Sequence, residues 1–514
     1  MDYDYRESRA LTRTVEFPED RALGDLYINR LDAPFTANWP SLGHARGKVT
    51  VPADSLLSLY LIPAYVMERI ERGIHDVVDD WNASEATLDL APLARLRPDD
   101  LQALTFPNTP IDDGALEPLQ GLTGLESLGL SHSWISGTGF VFLQGLTRLR
   151  HLDLTRSGFT DAGMAFLGAF PRLEELSLAG CCYLTDAGFA RLQGLRHLRS
   201  LDLSGSDITD AGLARLDDLP ALATLSLSET AITAAGLEAV GRFAALRDLK
   251  LTATGVVGPG LARLGDLPHL ARLTLTHGRV GDADLPHMRG LHALEELDLS
   301  VTQVTDAGLA SLRALSRLRR LTLDRTTVTG QGLGQLRELP SLESIGLVYA
   351  RVDDAGLRHL AQLPYVQALR LDYARITAEG LRPVGGLATL RDLSLDSCAV
   401  TDAGLAHLAG LGGLRTLNLA RNPVGDAGLR RLRHLRELRV LNLRQSSITD
   451  AGLAHLRGLS HLEELDLGRT PISDAGLASL RDLPNLRKLD LYGTTVSAAG
   501  IASLGHVPDI WPRR

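Results

Sequence analysis

The sequence predicts an α/β solenoid, a curved horseshoe in which short parallel strands form the inner sheet and helices form the outer layer. A pattern close to LxxLxLxxTxITDAGLAxLxxLPx restarts seventeen times between Leu101 and the C-terminus. Its starts lie 24 residues apart, except that one repeat has an extra residue within 179–184. Aromatic residues make up only 5% of the chain, so the core must be aliphatic. A fixed period of this length is typical of repeats that fold only by stacking on one another.

The repeat at 198–221 shows how each unit is expected to fold. Leu201 and Leu203 alternate with polar residues, which is the pattern of a short, half-buried strand. Position nine of the repeat, Ser206 here, carries a small polar side chain that can satisfy backbone groups in the turn after the strand. Ile208, at position eleven, has an apolar counterpart in every repeat and is therefore predicted to face the core.

The second half of the repeat predicts a helix that begins at Thr209-Asp210, where the aspartate column is interpreted as helix capping. Position fifteen, Gly212 here, is glycine in fifteen of seventeen repeats, and the exceptions are Ala115 and Asp284. Parallel strands stack at ~4.8 Å, whereas helices prefer ~8–10 Å between their axes. The mismatch predicts curvature, and glycine is expected to let neighbouring helices approach closely.

These motifs resemble the leucine-rich repeat family, in particular its cysteine-containing and GALA-like subclasses. The resemblance rests on LxxLxL followed by TDAGL, as at 390–405 and 438–453, and it covers about 80% of the chain. Residues 176–188 are also similar to the repeats of eukaryotic F-box substrate receptors. The resemblance implies a protein-binding scaffold and brings with it neither catalytic residues nor a cofactor.

Three regions are predicted along the chain. Residues 1–20 are expected to be disordered, residues 21–100 to form a small strand and helix module that caps the array, and residues 101–514 to form the solenoid of about seventeen repeats. Docking of a partner or effector is the alternative role for the first hundred residues, which contain no convincing F-box. Within them the sequence predicts strands at 26–31, 47–52 and 56–62, a helix at 64–81 and a truncated repeat strand at 88–90.

Charge and composition limit the class of partner. The net charge is −9, and the first hundred residues hold eleven basic against eighteen acidic side chains, so the repeats are nearly neutral. Nucleic-acid-binding proteins usually carry a basic stripe, so no nucleic-acid partner is expected. Lys48, Lys250 and Lys488 are the only lysines, and arginine supplies the other basic residues. This bias predicts a GC-rich and therefore bacterial genome.

Cysteine usage and targeting signals predict a soluble, cytoplasmic protein. Cys181, Cys182 and Cys398 do not form the pattern of a disulfide framework. The first residues are acidic and polar, which is unlike a secretory signal peptide. No segment approaches the ~20 apolar residues of a membrane span, so no membrane association is expected.

No catalytic or metal-binding constellation stands out, and the protein is predicted not to be an enzyme. Histidines recur at position eighteen, but two-repeat spacing keeps them too far apart for one zinc ion. The glycine-rich segment 330–334 lacks the lysine and spacing of a phosphate loop. The hypothesis that the protein is an enzyme would depend on the His and Asp cluster at 75–80. The histidines are His287, His359, His407 and His455, and the cluster is His75, Asp76, Asp79 and Asp80.

The predicted concave face consists of the outward strand positions, the third, fifth, seventh and eighth of each repeat, which are mostly Ser, Thr, Asp and Gly. One neighbourhood differs from the rest. Position eight reads Arg325, Tyr349 and Tyr373 in consecutive repeats, and Arg421 follows two repeats later. Tyrosine and arginine dominate binding hot spots, so these residues, together with Arg370 and Asp372, are the predicted partner-binding site. The alternative is a ladder of stacked aromatics and guanidiniums that is held by cation–π contacts without a binding role.

The leading hypothesis is a non-enzymatic protein-binding scaffold that uses this concave face. The alternative is a substrate receptor or effector, similar to the F-box receptors, whose N-terminal region docks other machinery. Near the C-terminus, Trp511 is expected either to cover the last repeat or to leave an edge strand that pairs with another copy. The sequence defines neither the identity of the partner nor the oligomeric state.

Overall fold

The computed structural model describes residues 12–19, 23–30, 40–52, 55–61, 90–106, 109 and 111–511. The chain divides into two compact units, Met1–Lys250 and Leu251–Arg514. In both units each repeat contributes one three-residue strand, and a buried aliphatic residue at the centre of the strand aligns with its counterpart in the next repeat.

Five strands precede the first repeat. β2 pairs in antiparallel with β3 and β5, while β1 and β4 form a separate two-stranded antiparallel sheet. The predicted strands are confirmed as β2, β4 and β5, but the predicted disorder of residues 1–20 is wrong for β1, where five residues pair with β4. β3 was not predicted, because its sequence, SLGH, has a single large apolar residue. The strands are β1 (Thr12–Glu16), β2 (Gly24–Arg30), β3 (Ser41–His44), β4 (Lys48–Pro52) and β5 (Ser55–Leu61).

The N-terminal strands cover the sheet edge of the first repeat. β5 pairs in parallel with β6 (Ala103–Thr105), so that Leu59 lies opposite Leu104. Arg13 on β1 secures this junction by donating hydrogen bonds to the carbonyl oxygens of Asp99 (2.5 Å) and Ser55 (3.1 Å). The predicted helix at 64–81, the cluster at 75–80 and most of the truncated strand at 88–90 lie outside the described residues.

The repeats of the first unit continue the sheet from β6. Each strand pairs in parallel with the next, with leucines in register, as Leu201 and Leu225 show. Phe140, Phe159 and Phe170 add an aromatic cluster to the otherwise aliphatic core, with ring centroids 5.2 and 6.1 Å apart. The strands are β7 (Ser127–Gly129), β8 (His151–Asp153), β9 (Glu175–Ser177), β10 (Ser200–Asp202), β11 (Thr224–Ser226) and β12 (Asp248–Lys250).

The second unit repeats this arrangement with eleven strands in the described residues. Its last strand, β23, pairs in parallel with β22, so the strand of the last repeat is covered, although the Trp511 side chain remains 56% exposed. The strands are β13 (Arg272–Thr274), β14 (Glu296–Asp298), β15 (Arg320–Thr322), β16 (Ser344–Gly346), β17 (Ala368–Arg370), β18 (Asp392–Ser394), β19 (Thr416–Asn418), β20 (Val440–Asn442), β21 (Glu464–Asp466), β22 (Lys488–Asp490) and β23 (Asp509–Trp511).

The predicted helices are present, but they are short. α-Helices of four to seven residues begin mostly at the Asp-Ala-Gly segment, and 3₁₀ turns continue or replace them. The close spacing of the strands leaves little width for each repeat in the outer layer, which favours the narrower 3₁₀ geometry. The α-helices are α1 (Asp161–Met164), α2 (Asp210–Leu213), α3 (Leu237–Val240), α4 (Asp306–Leu309), α5 (Asp354–Leu360), α6 (Leu381–Val384), α7 (Asp402–Leu408), α8 (Asp426–Leu432), α9 (Asp450–Leu453), α10 (Asp474–Leu477) and α11 (Ala498–Ala502). The 3₁₀ helices are Ala91–Arg95, Asp113–Leu119, Thr138–Leu143, Leu167–Ala169, Gly188–Leu192, Gly258–Asp266, Leu285–Gly290, Ala310–Ala314, Gly332–Glu338 and Ala454–Leu456.

The aspartate at position thirteen joins each repeat to the next. Asp210 accepts hydrogen bonds from the backbone N–H (2.9 Å) and the hydroxyl (2.5 Å) of Thr233 in the following repeat. The cap of its own helix is Thr209, whose hydroxyl accepts from the Ala211 N–H at 3.2 Å. The interpretation of the aspartates as helix caps is therefore wrong for this column. The same pair of bonds recurs from Asp161, Asp186, Asp282, Asp306, Asp354, Asp426, Asp450 and Asp474.

The glycine at position fifteen makes room for this carboxylate. A Cβ atom on Gly452 would lie 2.2 Å from Oδ1 of Asp426 in the preceding repeat, and one on Gly212 would lie 2.2 Å from Oδ1 of Asp186. The expected close approach is present, but at these positions the neighbouring group is a carboxylate rather than a helix backbone. Backbone contact of the expected kind occurs where a Cβ on Gly330 would lie 2.2 Å from the Gly356 Cα atom.

Asp284 reverses the usual arrangement. Gly258 occupies the aspartate position of one repeat, and Asp284 occupies the glycine position of the next. The Asp284 carboxylate accepts hydrogen bonds from the backbone N–H groups of Gly258 (2.6 Å) and Gly281 (2.7 Å). The carboxylate is thus retained at this junction and is supplied from the opposite side, so the two deviations from the repeat form one compensated exchange.

Candidate functional site

The candidate site lies in the turns that follow strands β15, β16, β17 and β19. Position eight of the repeat has a left-handed backbone, with φ of 55° at Arg325, 58° at Tyr349, 65° at Tyr373 and 56° at Arg421. Non-glycine residues adopt this conformation at a cost that the surrounding structure must offset. Position eight was expected on the strand itself, but the strands end at position five.

Backbone hydrogen bonds hold successive position-eight residues at a constant spacing. The N–H of Tyr349 donates to the carbonyl oxygen of Asp372 (3.0 Å), and the N–H of Tyr373 donates to that of Asp396 (2.8 Å). Each bond joins one turn to the turn of the next repeat. The side chains of this column therefore project from equivalent turns, which explains why large planar groups can stack there.

Tyr349 and Tyr373 form the centre of this stack. Their ring centroids lie 4.0 Å apart with an interplanar angle of 13°. The guanidinium carbon of Arg325 lies 4.7 Å from the Tyr349 centroid, and that of Arg421 lies 5.6 Å from the Tyr373 centroid. Both distances are within the range of cation–π attraction. The structure thus brings four of the six predicted residues into one ordered layer, with the tyrosines still 44% and 38% exposed.

Arg421 is held in this stack by several polar contacts. Its Nη2 donates to the Tyr373 hydroxyl (3.0 Å) and pairs with the Asp396 carboxylate, while its Nε donates to the Ser397 hydroxyl (2.9 Å). Asp396 was absent from the predicted site. Its sequence signal is weak, because aspartate at position seven also occurs in other repeats, as at Asp324 and Asp372.

The two remaining predicted residues serve the framework of the site. Arg370 pairs with Asp324 at 3.1 Å across two repeats. Asp372 accepts hydrogen bonds from the Ser394 hydroxyl and from the Asp396 N–H at 2.8 Å. Burial raises the pKa of Asp324, and this effect outweighs the opposing hydrogen bond from the Val348 N–H and the attraction of Arg370. These carboxylates are therefore occupied by partners within the protein.

Three guanidinium groups, one in this column and two on residues that follow the tyrosines by two positions in the sequence, make no ion pair or hydrogen bond with the described residues. They belong to Arg325, at position eight, and to Arg351 and Arg375, at position ten. Position ten was not included among the outward positions, so the sequence reasoning missed the last two. Both are exposed, and their place two residues after the tyrosines in the repeat is the sequence signal that could have found them. The resulting surface, named the Tyr–Arg patch, comprises Arg325, Tyr349, Arg351, Tyr373, Arg375 and Arg421.

The Tyr349 phenol at the centre of the Tyr–Arg patch has a raised pKa. The interaction with the Tyr373 hydroxyl raises the pKa of Tyr349 above its ordinary value, and partial desolvation acts in the same direction. Tyr349 therefore remains a neutral phenol near pH 7. The patch combines neutral aromatic rings with arginines, which are always charged.

The cysteines and histidines that were considered as other functional candidates contact neighbouring groups of the protein or lie apart from one another. Cys398 is buried, donates a hydrogen bond to the Leu371 carbonyl (3.0 Å) and has its pKa raised by burial to about 12. Cys181 is also buried and donates to the Leu154 carbonyl at 3.1 Å, whereas Cys182 is exposed. His407 approaches a carboxylate, Glu379, at 3.9 Å. Within the described part of the chain, no three His, Cys, Asp or Glu side chains are grouped to hold a metal ion.

Comparison with known families matches the repeats. Models described as leucine rich repeat match residues 436–495 and four separate segments, at 146–168, 194–216, 386–409 and 414–432. These segments coincide with strands and helices that the structure places in register. The protein has the fold of a leucine-rich repeat solenoid. Comparison with curated protein sequences gives no match.

Several solved structures are similar to this chain at low sequence identity. A chain of the mouse RP105/MD-1 complex is 19% identical, with a TM-score of 0.54, and the match covers 79% of this chain and 78% of that one. A leucine-rich repeat protein of Leptospira interrogans is 18% identical, with a TM-score of 0.49 and coverage of 81% and 96%. An internalin of Listeria monocytogenes is 19% identical, with a TM-score of 0.35 and coverage of 73% and 83%. The mouse match supports the leucine-rich repeat fold and nothing finer.

Among the helices that the structure describes, none combines the length and the apolar character that a bilayer crossing requires.

Proposed function

We propose that this leucine-rich repeat chain is a non-enzymatic protein-binding scaffold and that the Tyr–Arg patch contacts the partner. The observation that carries the proposal is the exposed stack of Tyr349 and Tyr373, bounded by Arg325 and Arg421. Leucine-rich repeat proteins generally act in protein interactions, and the mouse chain with a similar fold belongs to a complex. The leucine-rich repeat fold supports this functional class, and the patch supplies the local chemistry.

The stack is preorganised for binding. Each tyrosine ring has one face against the other ring, and a guanidinium group lies over the outer side of each. The side chains are therefore ordered before a partner arrives, which lowers the entropy cost of association. Tyrosine and arginine also provide large contact areas together with polar groups, and for this reason they dominate binding hot spots.

Arg325 is the group that we expect to select the partner. Its guanidinium stacks on Tyr349 and keeps its N–H donors without an acceptor in the described residues. A buried donor without an acceptor is unfavourable, so a partner that covers Arg325 must supply carbonyl or carboxylate oxygens. Arg421 differs, because Asp396 already occupies its guanidinium. The expected contact is thus polar at the Arg325 end and aromatic at the centre.

Recovery of a specific partner by purified variants tests this proposal. The Tyr349→Ala/Tyr373→Ala variant removes the stack, and we expect about tenfold or greater loss of the partner recovered from the native host, because two hot-spot side chains are lost together. Tyr183→Ala/Tyr365→Ala is the matched control, since these tyrosines are 68% and 57% exposed elsewhere. Equal recovery by the patch variant, with an unchanged circular dichroism spectrum, would remove the patch from the account.

The finer sequence predictions belong to the same proposal. The three cysteines are free thiols, which supports a reducing and therefore cytoplasmic location. Arginine in place of lysine supports a bacterial source, and the repeat motif supports the cysteine-containing or GALA-like subclass. The receptor alternative depends on the first hundred residues, of which 62–89 lie outside the described residues, and it stays a prediction.

A further inference from the structure

A second charged surface lies on the outer helices of the second unit, between α7 and α8. A groove of about 320 Å³ is lined by Ala409, Ala427, Arg430, Arg431, Arg433 and His434. The four charged or ionisable side chains are all exposed. No carboxylate lines the groove, so it differs from most arginine-rich parts of this surface.

The contrast with equivalent positions identifies this groove. Arg433 stands at position twenty of its repeat, where Arg337 and Arg457 stand in other repeats of the same unit. Arg337 pairs with Glu338 at 3.3 Å, and Arg457 pairs with Asp482 at 3.5 Å. Arg433 instead donates from Nε to the His434 Nε2 atom at 3.0 Å. This bond leaves its charge without a counterion among the described residues.

The neighbouring arginines also lack a counterion among the described residues. Arg430 and Arg431 follow each other on α8, and neither forms an ion pair with a described residue. Arg430 and Arg433 are three residues apart, a spacing at which like charges on a helix surface repel by roughly a few tenths of a kcal/mol. An anion in the groove would relieve this repulsion, so the free protein carries an electrostatic preference for a negatively charged ligand.

We propose that this groove, named the arginine groove, binds an acidic segment of a partner protein through its carboxylates. Planar guanidinium groups match carboxylates in a two-point geometry. The small side chains of Ala409 and Ala427 form the floor, which leaves space for the methylene groups of a glutamate. A long polyanion such as a nucleic acid is disfavoured because the repeats as a whole are nearly neutral and lack an extended basic stripe.

The proposal is independent of the Tyr–Arg patch. Arg430, Arg431 and Arg433 belong to or follow an outer helix, whereas the patch lies in the turns that follow the strands. A scaffold with two such surfaces could hold two proteins, or one partner through two segments. Either surface can fail its test without affecting the other.

Binding of a fluorescein-labelled oligoglutamate peptide to the full-length protein, measured by fluorescence anisotropy at low salt, tests the arginine groove. The Arg430→Gln/Arg431→Gln/Arg433→Gln variant should bind about tenfold more weakly or worse, because each lost arginine removes a charge-assisted contact. Its melting temperature should change little, since the relief of like-charge repulsion offsets the loss of the exposed Arg433–His434 hydrogen bond and of two cations in the last helical turn. A structural role for these arginines would lower the melting temperature.

The control removes the same charge elsewhere. Arg242→Gln/Arg319→Gln/Arg337→Gln takes away three arginines that pair with Asp217, Glu343 and Glu338, and it should retain binding. Equal weakening by both variants would show that net charge alone attracts the peptide, and this would overturn the proposal. Absence of peptide binding by the wild type, or tighter binding of labelled oligothymidylate than of oligoglutamate, would also overturn it.

Discussion

In the second unit, the column at position eight and the columns at positions thirteen and fifteen both have a regular backbone. Only the columns at positions thirteen and fifteen have recurring side chains. At positions thirteen and fifteen, aspartate and glycine recur, and most of the aspartates make the same pair of bonds to the next repeat, as Asp426 and Asp450 do. At position eight the backbone is left-handed throughout the described repeats, but the side chains range from Ala253 to Tyr373. A column whose side chains are constant maintains the stack, and a column whose side chains vary is free to carry recognition.

The largest effect is expected from disturbing the constant column. Gly452→Ala would place a Cβ atom 2.2 Å from the Asp426 carboxylate, and overpacking of this kind costs about 1–3 kcal/mol. Urea unfolding should show the loss. Gly410→Ala is the matched control, because a Cβ there meets nothing within 4 Å, and it should be neutral or slightly stabilising. Equal stability of both variants would contradict the role assigned to this glycine.

A compensated exchange sharpens the same comparison. Asp284→Gly removes the carboxylate that accepts from the Gly258 and Gly281 N–H groups, and we expect a loss of about 1–2 kcal/mol. Adding Gly258→Asp returns an aspartate to its usual position and should recover part of that loss, because the φ of 67° at Gly258 is unfavourable for a residue with a side chain. A double variant that is no more stable than Asp284→Gly would show that the two deviations are unrelated.

Acid titration gives the smallest effect. Hydrogen bonds from the Ser497 hydroxyl and backbone N–H lower the pKa of Asp474. Its folded-state pKa is thus below the unfolded value of about 3.9, so its contribution is present above that value and is lost as the pH falls through the folded pKa. The difference in melting temperature between the wild type and Asp474→Asn should shrink as the pH falls below about 4. A difference that grew on acidification would contradict the stabilising role of the hydrogen bonds between Asp474 and Ser497.

The sequence was sufficient to predict the fold because each repeat contains the same local pattern of strand and helix residues. The alternation around Leu201 predicts a strand, and Thr209-Asp210 predicts a helix start, and both are present. The partner of Asp210 was not predictable in the same way. An aspartate in a first helical turn satisfies the local sequence as a cap, and only the stacked structure brings Thr233 to its carboxylate.

The site was predictable in part for a related reason. Strict spacing placed Tyr349 and Tyr373 in one column, so their contact followed from the period alone. The left-handed backbone at position eight was not predictable, because non-glycine residues such as tyrosine give no sequence signal for it. The exposed Arg351 and Arg375, which follow two residues later, were missed for this reason. The ladder alternative also has its cation–π contacts in place, so binding must be decided by experiment rather than by contact geometry.

Site-specific photo-crosslinking tests the central claim most directly. Tyr373→p-benzoylphenylalanine keeps an aromatic group within the Tyr–Arg patch, and the same replacement at Tyr183 provides an exposed control elsewhere in the chain. After irradiation in the native host, the account predicts a discrete crosslinked protein at position 373 that is absent at position 183 and is lost when Arg325→Ala is added. Identical crosslinks at both positions, or none at position 373 while a partner still copurifies, would contradict the assignment of this surface to protein binding.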